Sequence, residues 1–269
     1  MRLLTSSFLA LFFGICCSAV AQEGFELPAE GDTPIFTMEF GTAGLRMPRK
    51  NPLPADWVKK PYLQIFADGR VLKSPNAPEY PAYEIQLNEE ELNAFLDKVV
   101  NEHKFYEIDL DEIAKEKAEA AKGKGGIGIA PRMADAPGIT FSMELGRGSH
   151  SYQTSSAKSS ARHYPNIEAL QNIVAIENAA RRMVFVAIAG GFDNLERALE
   201  KVNEGLEAEG HEPMTMDLLV GCRERKGVTT ITFSRKTRNA QDRRQHWVNG
   251  SFIIDGDDES VKVSSSKKK

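Results

Sequence analysis

The sequence predicts an α+β fold in which antiparallel β-hairpins alternate with helices. Three observations carry that expectation. Alternating apolar stretches come in pairs, joined by Asp68-Gly69, by Gly146-Arg147-Gly148 and by Lys226-Gly227. Apolar stripes with helical spacing fall between those pairs. Hairpins with helices inserted between them belong to antiparallel sheets rather than to a doubly wound parallel one. The expected order is a hairpin-helix unit used twice, at about 62–103 and 139–182, and then a β-α-β-hairpin unit.

Taken in order, "MRLLTSSFLALFFGICCSAVAQ" reads as an export signal. Arg2 is the positive start, an apolar run follows, and Ala19-Val20-Ala21 gives a small-x-small cleavage pattern before Gln22. Residues 22–61 read as an irregular leader: flexible over 22–34, one strand in "IFTMEF", then four prolines over 46–61. "YLQIFADGRVLK" is a hairpin. Asn88 is an N-cap with Glu91 placed for a capping box, and Leu92, Phe95, Leu96, Val99 and Val100 make one buried helical face. Glu89, Glu90 and Glu91 are explained by the helix dipole.

"LDEIAKEKAEAAK" reads as an exposed helix. Gly123, Gly125 and Gly128 after it match G-x-G-x-x-G, but a nucleotide loop follows a strand and opens a helix. Here a helix comes first and Pro131 opposes helix entry afterwards, so the glycines read as a plain loop and no cofactor is expected. "GITFSMELGRGSHSYQT" is a second hairpin. A short helix near Ser159–His163 and a longer one from Pro165-Asn166 through Arg182 follow.

The continuous apolar run "MVFVAIAGG" at 183–191 is expected to be a buried strand. "FDNLERALEKVNEGLEAEG" is a helix with Leu195, Leu199, Val202 and Leu206 on one face. "DLLVGCRERKGVTTITFSRK" is a hairpin, "HWVNGSFIIDGDDESVKV" adds one or two strands turning near Asp255-Gly256, and 264–269 form a basic solvated tail. The domains expected are 62–182 and a smaller unit, or sheet extension, at 183–263.

Composition narrows function. Loss of the signal removes Arg2 and takes the formal net charge from −4 to −5. A mildly acidic chain has no global attraction for nucleic acid. Cys222 alone remains of the three cysteines, so no internal disulfide forms, and it reads as a small buried apolar residue. Ser155-Ser156-Ala157-Lys158 fits S-x-x-K, but Lys236-Thr237 runs into Arg238 and the companion motifs of penicillin-recognising serine enzymes are absent. His103, His150, His163, His211 and His246 form no ligand spacing. "DGDDE" at 255–259 lacks the order of a calcium loop.

The most unusual segment is "SRKTRNAQDRRQHW" at 234–247. Arg235, Arg238, Arg243, Arg244 and Trp247 are the candidate partner-binding residues. No catalytic, cofactor-binding or metal residue is assigned.

Four stretches, "IFADGRV", "QLNEEELNAFLDKVVNEHKFYEID", "ITFSMELGRGSHSYQTSSAKSSARHYPNIEALQNIVAIE" and "VFVAIAGG", resemble a set of uncharacterised exported bacterial proteins. The resemblance implies a signal peptide and an extracytoplasmic location, and carries no established activity. The functional expectation is a non-catalytic binding or structural module of the cell envelope or periplasm, its partner an envelope protein or an anionic glycan rather than nucleic acid. The alternative is an extracytoplasmic hydrolase whose residues converge only in three dimensions.

Overall fold

The computed structural model describes residues 24–41, 61–75, 81–122, 138–238 and 245–267, with backbone alone at 237–238, 245–246 and 266–267. The segment expected to be an export signal, most of the proline-rich stretch, the glycine loop, Arg243 and Arg244 lie outside the described residues. The fold is α+β. The described residues form ten strands and five α-helices, and both sheets are antiparallel.

Strand β1 (Pro34–Phe40) pairs with β2 (Leu63–Phe66) on one side and β5 (Ile139–Leu145) on the other. β3 (Arg70–Lys73) and β4 (Tyr83–Gln86) extend the sheet beyond β2, and β6 (Gly148–Thr154) extends it beyond β5. This is sheet A, in the order β4-β3-β2-β1-β5-β6. Period-two alternation sends Phe36, Met38, Leu63, Ile65, Phe141 and Met143 to one face, where all are buried. That face is covered by helix α1 (Glu89–Leu96), which carries the expected capping box. The Glu91 N–H donates to Asn88 Oδ1 at 2.9 Å, and the Asn88 N–H donates to Glu91 Oε2 at 2.9 Å. A π-type turn, Asp97–Glu102, keeps Val99 and Val100 on the buried stripe. Phe36 meets Phe95 edge-on at 5.2 Å and Phe105 at 6.1 Å. Helix α2 (Leu110–Lys122) buries only Ile113, as its polar composition requires.

After the short helix α3 (Ala157–His163) comes α4 (Glu168–Ala189), which packs against β3 and β4 of sheet A and against β7 and β8 of the second sheet. Here the sequence expectation is corrected: 183–191 is not a strand, since α4 runs unbroken through Ala189. A short apolar run has no period that separates a buried strand from a helix packed on several sides. Met183, Val184, Val186, Ala187 and Ala189 are all buried because elements of both sheets press on the helix. The boundary expected at 182/183 therefore falls inside a helix.

Gly190 and Gly191 turn the chain into α5 (Phe192–Ala208), whose Leu195, Val202 and Leu206 are buried as expected. α5 lies on sheet B, the meander β7 (Leu219–Arg225), β8 (Val228–Arg238), β9 (Gln245–Asp255) and β10 (Asp258–Lys267). Lys226 and Gly227 both adopt positive φ, 55° and 82°, which a two-residue hairpin of matching twist needs.

Three further corrections concern chain ends and one strand. Ser264–Lys267, expected as a solvated tail, continue β10 and pair with His246–Asn249. The leader is not free, because Phe25 and Leu27 pack on the core and the Gly146 N–H donates to the Glu26 carbonyl at 2.8 Å. Its strand β1 lies in the interior of sheet A between β2 and β5, so Pro34–Phe40 share a sheet with the strands that follow. Tyr83–Gln86, to which no element is assigned from sequence, form strand β4.

Candidate functional site

Directly opposed residues of an antiparallel sheet share a face, so the register of sheet B sorts every side chain. The inner face holds Cys222, Ile231, Phe233, Val248, Gly250 and Phe252 against helices α4 and α5, and all are buried. The outer face reads in rows across the strands. Arg223, Thr230, Ile253 and Ser260 form one row, and Gly221, Thr232, Ser251 and Lys262 the next. Ser234, Asn249 and Ser264 follow, and then Lys236 and Trp247. No side chain described in these rows is buried, so no described residue covers the face.

Its middle rows are polar. Thr232 Oγ1 and Ser251 Oγ lie 3.2 Å apart, and the Ser234 hydroxyl donates to Asn249 Oδ1 at 2.6 Å. Hydroxyl and amide groups thus line the middle of the open face. Arg223, Lys236 and Lys262 are exposed and enter none of the ion pairs among the described residues. The only carboxylates described on this side, Asp255 and Asp258, sit with Arg225 in the row at the hairpin turns. Trp247 is 37% exposed, a large aromatic surface beside Lys236.

The residues singled out from sequence are divided by this sheet. Trp247 is on the outer face. Arg235 points the other way: Nη1 and Nη2 donate to the carbonyls of Pro213 and Glu212 at 3.0 Å each, and Nη1 is 3.2 Å from the Glu212 carboxylate. It anchors the α5–β7 connection rather than offering charge to a partner. The backbone of Arg238 pairs with Gln245; its side chain, with Arg243 and Arg244, lies outside the described residues. Sequence reading missed Arg223, Lys262 and the hydroxyl rows. Their signal is alternation: each is the polar partner of an inward residue on a strand already recognised.

A second group of polar residues lies where the sheets approach each other across α4. Lys73 is on the inner face of sheet A, opposite Leu63 and Tyr83, and is only 3% exposed. Its Nζ stands 5.5 Å from the Tyr62 ring centroid and 5.2 Å from that of Tyr83. It makes no ion pair among the described residues, and burial pushes its ammonium below the usual lysine range. The Tyr83 hydroxyl donates to Glu224 Oε2 on β7 at 3.1 Å, joining the two sheets. Burial, reinforced by that bond, drives the Tyr83 phenol well above its ordinary value. Burial also raises Tyr62, with Arg181 opposing. Burial, with Glu224 adding to it, pushes the Cys222 thiol up to about 12, so at neutral pH it is a protonated packing group. Glu177 is 5% exposed and accepts from Arg181 Nε at 2.7 Å, with Lys158 Nζ at 3.5 Å. The lysine of the S-x-x-K pattern is thus engaged with a buried carboxylate. These groups fasten layers together.

The histidines stay apart. His150 Nε2 is 3.1 Å from the Ile108 carbonyl, His163 packs edge-on against Tyr164, and His211 is 3.9 Å from Glu209. Among the described residues no group of three or more His, Cys, Asp or Glu is placed to hold a metal ion, and no helix is long and apolar enough to cross a membrane. Compared with protein-family models, with curated proteins and with solved structures, the chain matches none.

Proposed function

We propose that this is an exported, non-catalytic binding module of the cell envelope or periplasm, and that the outer face of sheet B binds an anionic polysaccharide. The observation that carries the reading is the set of cations unpaired among the described residues, Arg223, Lys236 and Lys262, on an open, hydroxyl-rich face of an otherwise acidic chain, with its described carboxylates confined to the row at the hairpin turns. Each part of the face has a matching part on such a ligand. The C–H face of a sugar ring packs on the Trp247 indole, an amphipathic surface that loses little entropy on binding. Ring hydroxyls exchange hydrogen bonds with Thr232, Ser234, Asn249 and Ser251. Uronate carboxylates or sulfates meet Arg223, Lys236 and Lys262, which steer and orient more than they tighten. An open sheet face with regular rows suits an extended repeating polymer, and the location expected from the N-terminal signal is one where such polymers occur.

The test is retention on immobilised polygalacturonate, with neutral dextran as the control. The protein is retained at low ionic strength and released as salt screens the contact. Lys236→Glu with Lys262→Glu abolishes retention, and Trp247→Ala weakens it about tenfold. Equal retention on dextran, or undiminished retention of the charge-reversed protein, defeats the proposal.

A further inference from the structure

One side of helix α4 lines a groove whose wall also includes Leu219 and Val220 of β7. Ala175, Asn178, Ala179, Arg182 and Phe185 follow each other at helical spacing along that side, and the groove has a volume of about 900 Å³. That volume is at the upper end of the range for small-molecule sites. None of the outer-face residues of sheet B lines it, so it is separate from the polysaccharide surface.

Two features of the groove, Val220 and Arg182, offer complementary chemistry to a ligand. The first is Val220. It is the extra residue of β7, between Leu219, which pairs with Phe233, and Gly221, which pairs with Thr232. A bulge turns a side chain out of the strand's alternation. Here an apolar side chain, 55% exposed, lines the same groove as Phe185, Phe192 and Met216. An isolated exposed valine is ordinary, but one at a bulge in the wall of a concavity with other apolar groups offers a ligand apolar surface.

The second feature is Arg182. Its guanidinium is half-buried and enters none of the ion pairs among the described residues. Asp217 acts on it through space, while that carboxylate receives the Thr215 hydroxyl. The neighbouring cations Arg181 and Lys158 are occupied by Glu177. Among the described residues Arg182 alone of the three has no ion-pair partner, one helical turn before Phe185. A partly desolvated guanidinium beside apolar surface is satisfied by a planar anion that accepts two parallel N–H bonds. Glu90, Glu91, Asp193, Glu196 and Asp217 also line the groove, outnumber its cations Lys98, Lys158, Arg181 and Arg182, and disfavour a head group of several negative charges.

We propose that this groove binds a linear acyl carboxylate, its head group on Arg182 and its chain over Phe185, Phe192, Met216 and Val220. One negative charge and one apolar chain complement one free guanidinium and one apolar wall. The occupant is a small amphiphile rather than an added peptide strand, because the bulge that presents Val220 also disrupts the edge of β7 where such a strand would pair.

Calorimetric titration with dodecanoate below its micelle concentration tests this, with dodecyltrimethylammonium as the same chain bearing the opposite charge. Dodecanoate binds saturably and the cation does not compete. Arg182→Gln weakens dodecanoate about tenfold or more, and Val220→Asp does the same without lowering the melting temperature, because Val220 is exposed. If Arg182→Gln melts early, Val220→Asp decides alone. Absence of saturable dodecanoate binding overturns the proposal. So does equal binding by a folded variant, or equal affinity for the cation. Polygalacturonate retention is unchanged in both variants, so failure here leaves the sheet B reading standing.

Discussion

Sheet A and sheet B each bury one face under helices and leave the other to solvent, and their open faces carry opposite charge. On sheet A the outer rows contain Glu39, Glu84 and Glu144 among Thr37, Gln64, Thr140, Ser142, Ser151 and Gln153. Arg70, the cation on that side, is turned toward Asp68 at 3.8 Å and over the Phe66 ring. On sheet B the corresponding rows hold Arg223, Lys236, Lys262 and Trp247. The buried faces differ too. Sheet A is filled by aromatic rings, with Phe36 among Phe95, Phe105 and Phe141. Sheet B is brought close to α5 by glycines. A Cβ on Gly250 would stand 2.2 Å from Val202 Cγ1, and one on Gly205 would stand 2.8 Å from Val261 Cγ1. Burial constrains an inner face to fit its helix and leaves the outer face free to vary, so any difference in function is to be sought outside.

The largest test of the comparison is Phe36→Ala. It removes a fully buried ring that three other rings surround, and is expected to cost about 3–5 kcal/mol in denaturant unfolding. Gly250→Ala probes the other core by adding volume where sheet A would lose it. The methyl cannot fit beside Val202 unless α5 moves, so a loss of about 1–3 kcal/mol is expected. A neutral Gly250→Ala would mean that α5 does not sit close on sheet B, and the contrast between a filled core and a tight one would fail.

Much of this architecture could be read from the chain, and the misses share a cause. The Asn88 capping box, the Leu92–Val100 stripe and the turns at Gly69, Gly148 and Gly227 were legible because each depends on a few neighbouring residues. The run 183–191 was not, since Val184, Val186 and Ala187 are apolar for reasons supplied by two distant sheets. Ser264–Ser266 looked like tail because hydroxyl residues on an edge strand have no apolar alternation to betray them. At the candidate site, Trp247 was visible as an aromatic in a basic segment. Arg235 was not separable from its neighbours until the register put it on the inner face. Lys262 gave no signal, because it joins Ser251 and Thr232 only through strand pairing.

The seam between the sheets gives a smaller, pH-dependent test. Lys73 is buried on sheet A without a carboxylate among the described residues, and its folded-state pKa is depressed. Between that value and the unfolded one, ~10.4, the unfolded chain binds the extra proton, so stability rises with pH through this window. Below the window the protein carries the full penalty of a desolvated ammonium, offset in part by the Tyr62 and Tyr83 rings. Lys73→Met is therefore expected to stabilise by about 1 kcal/mol at neutral pH, with the gain fading as pH approaches ~10.4. Thermal melts of both proteins from pH 7 to pH 10 follow the difference. A Lys73→Met protein that is less stable at pH 7 would show that the cation holds the seam together.

The smallest expected change in stability sharpens the comparison most. Glu84→Lys on sheet A and Lys262→Glu on sheet B reverse one charge on each open face. Both residues are exposed and neither enters an ion pair among the described residues. Each substitution is expected to shift stability by less than ~0.5 kcal/mol, because a solvated charge on an uncovered strand has little to lose. Their effects on binding should diverge. Lys262→Glu places a carboxylate in the middle of the hydroxyl rows and weakens retention on polygalacturonate. Glu84→Lys leaves retention unchanged or raises it slightly, by removing one distant repulsion that salt already screens. A melting point lowered by several degrees in either protein would mean that its outer face is covered after all. Equal loss of retention in both would mean that net charge, not the face of sheet B, governs the contact.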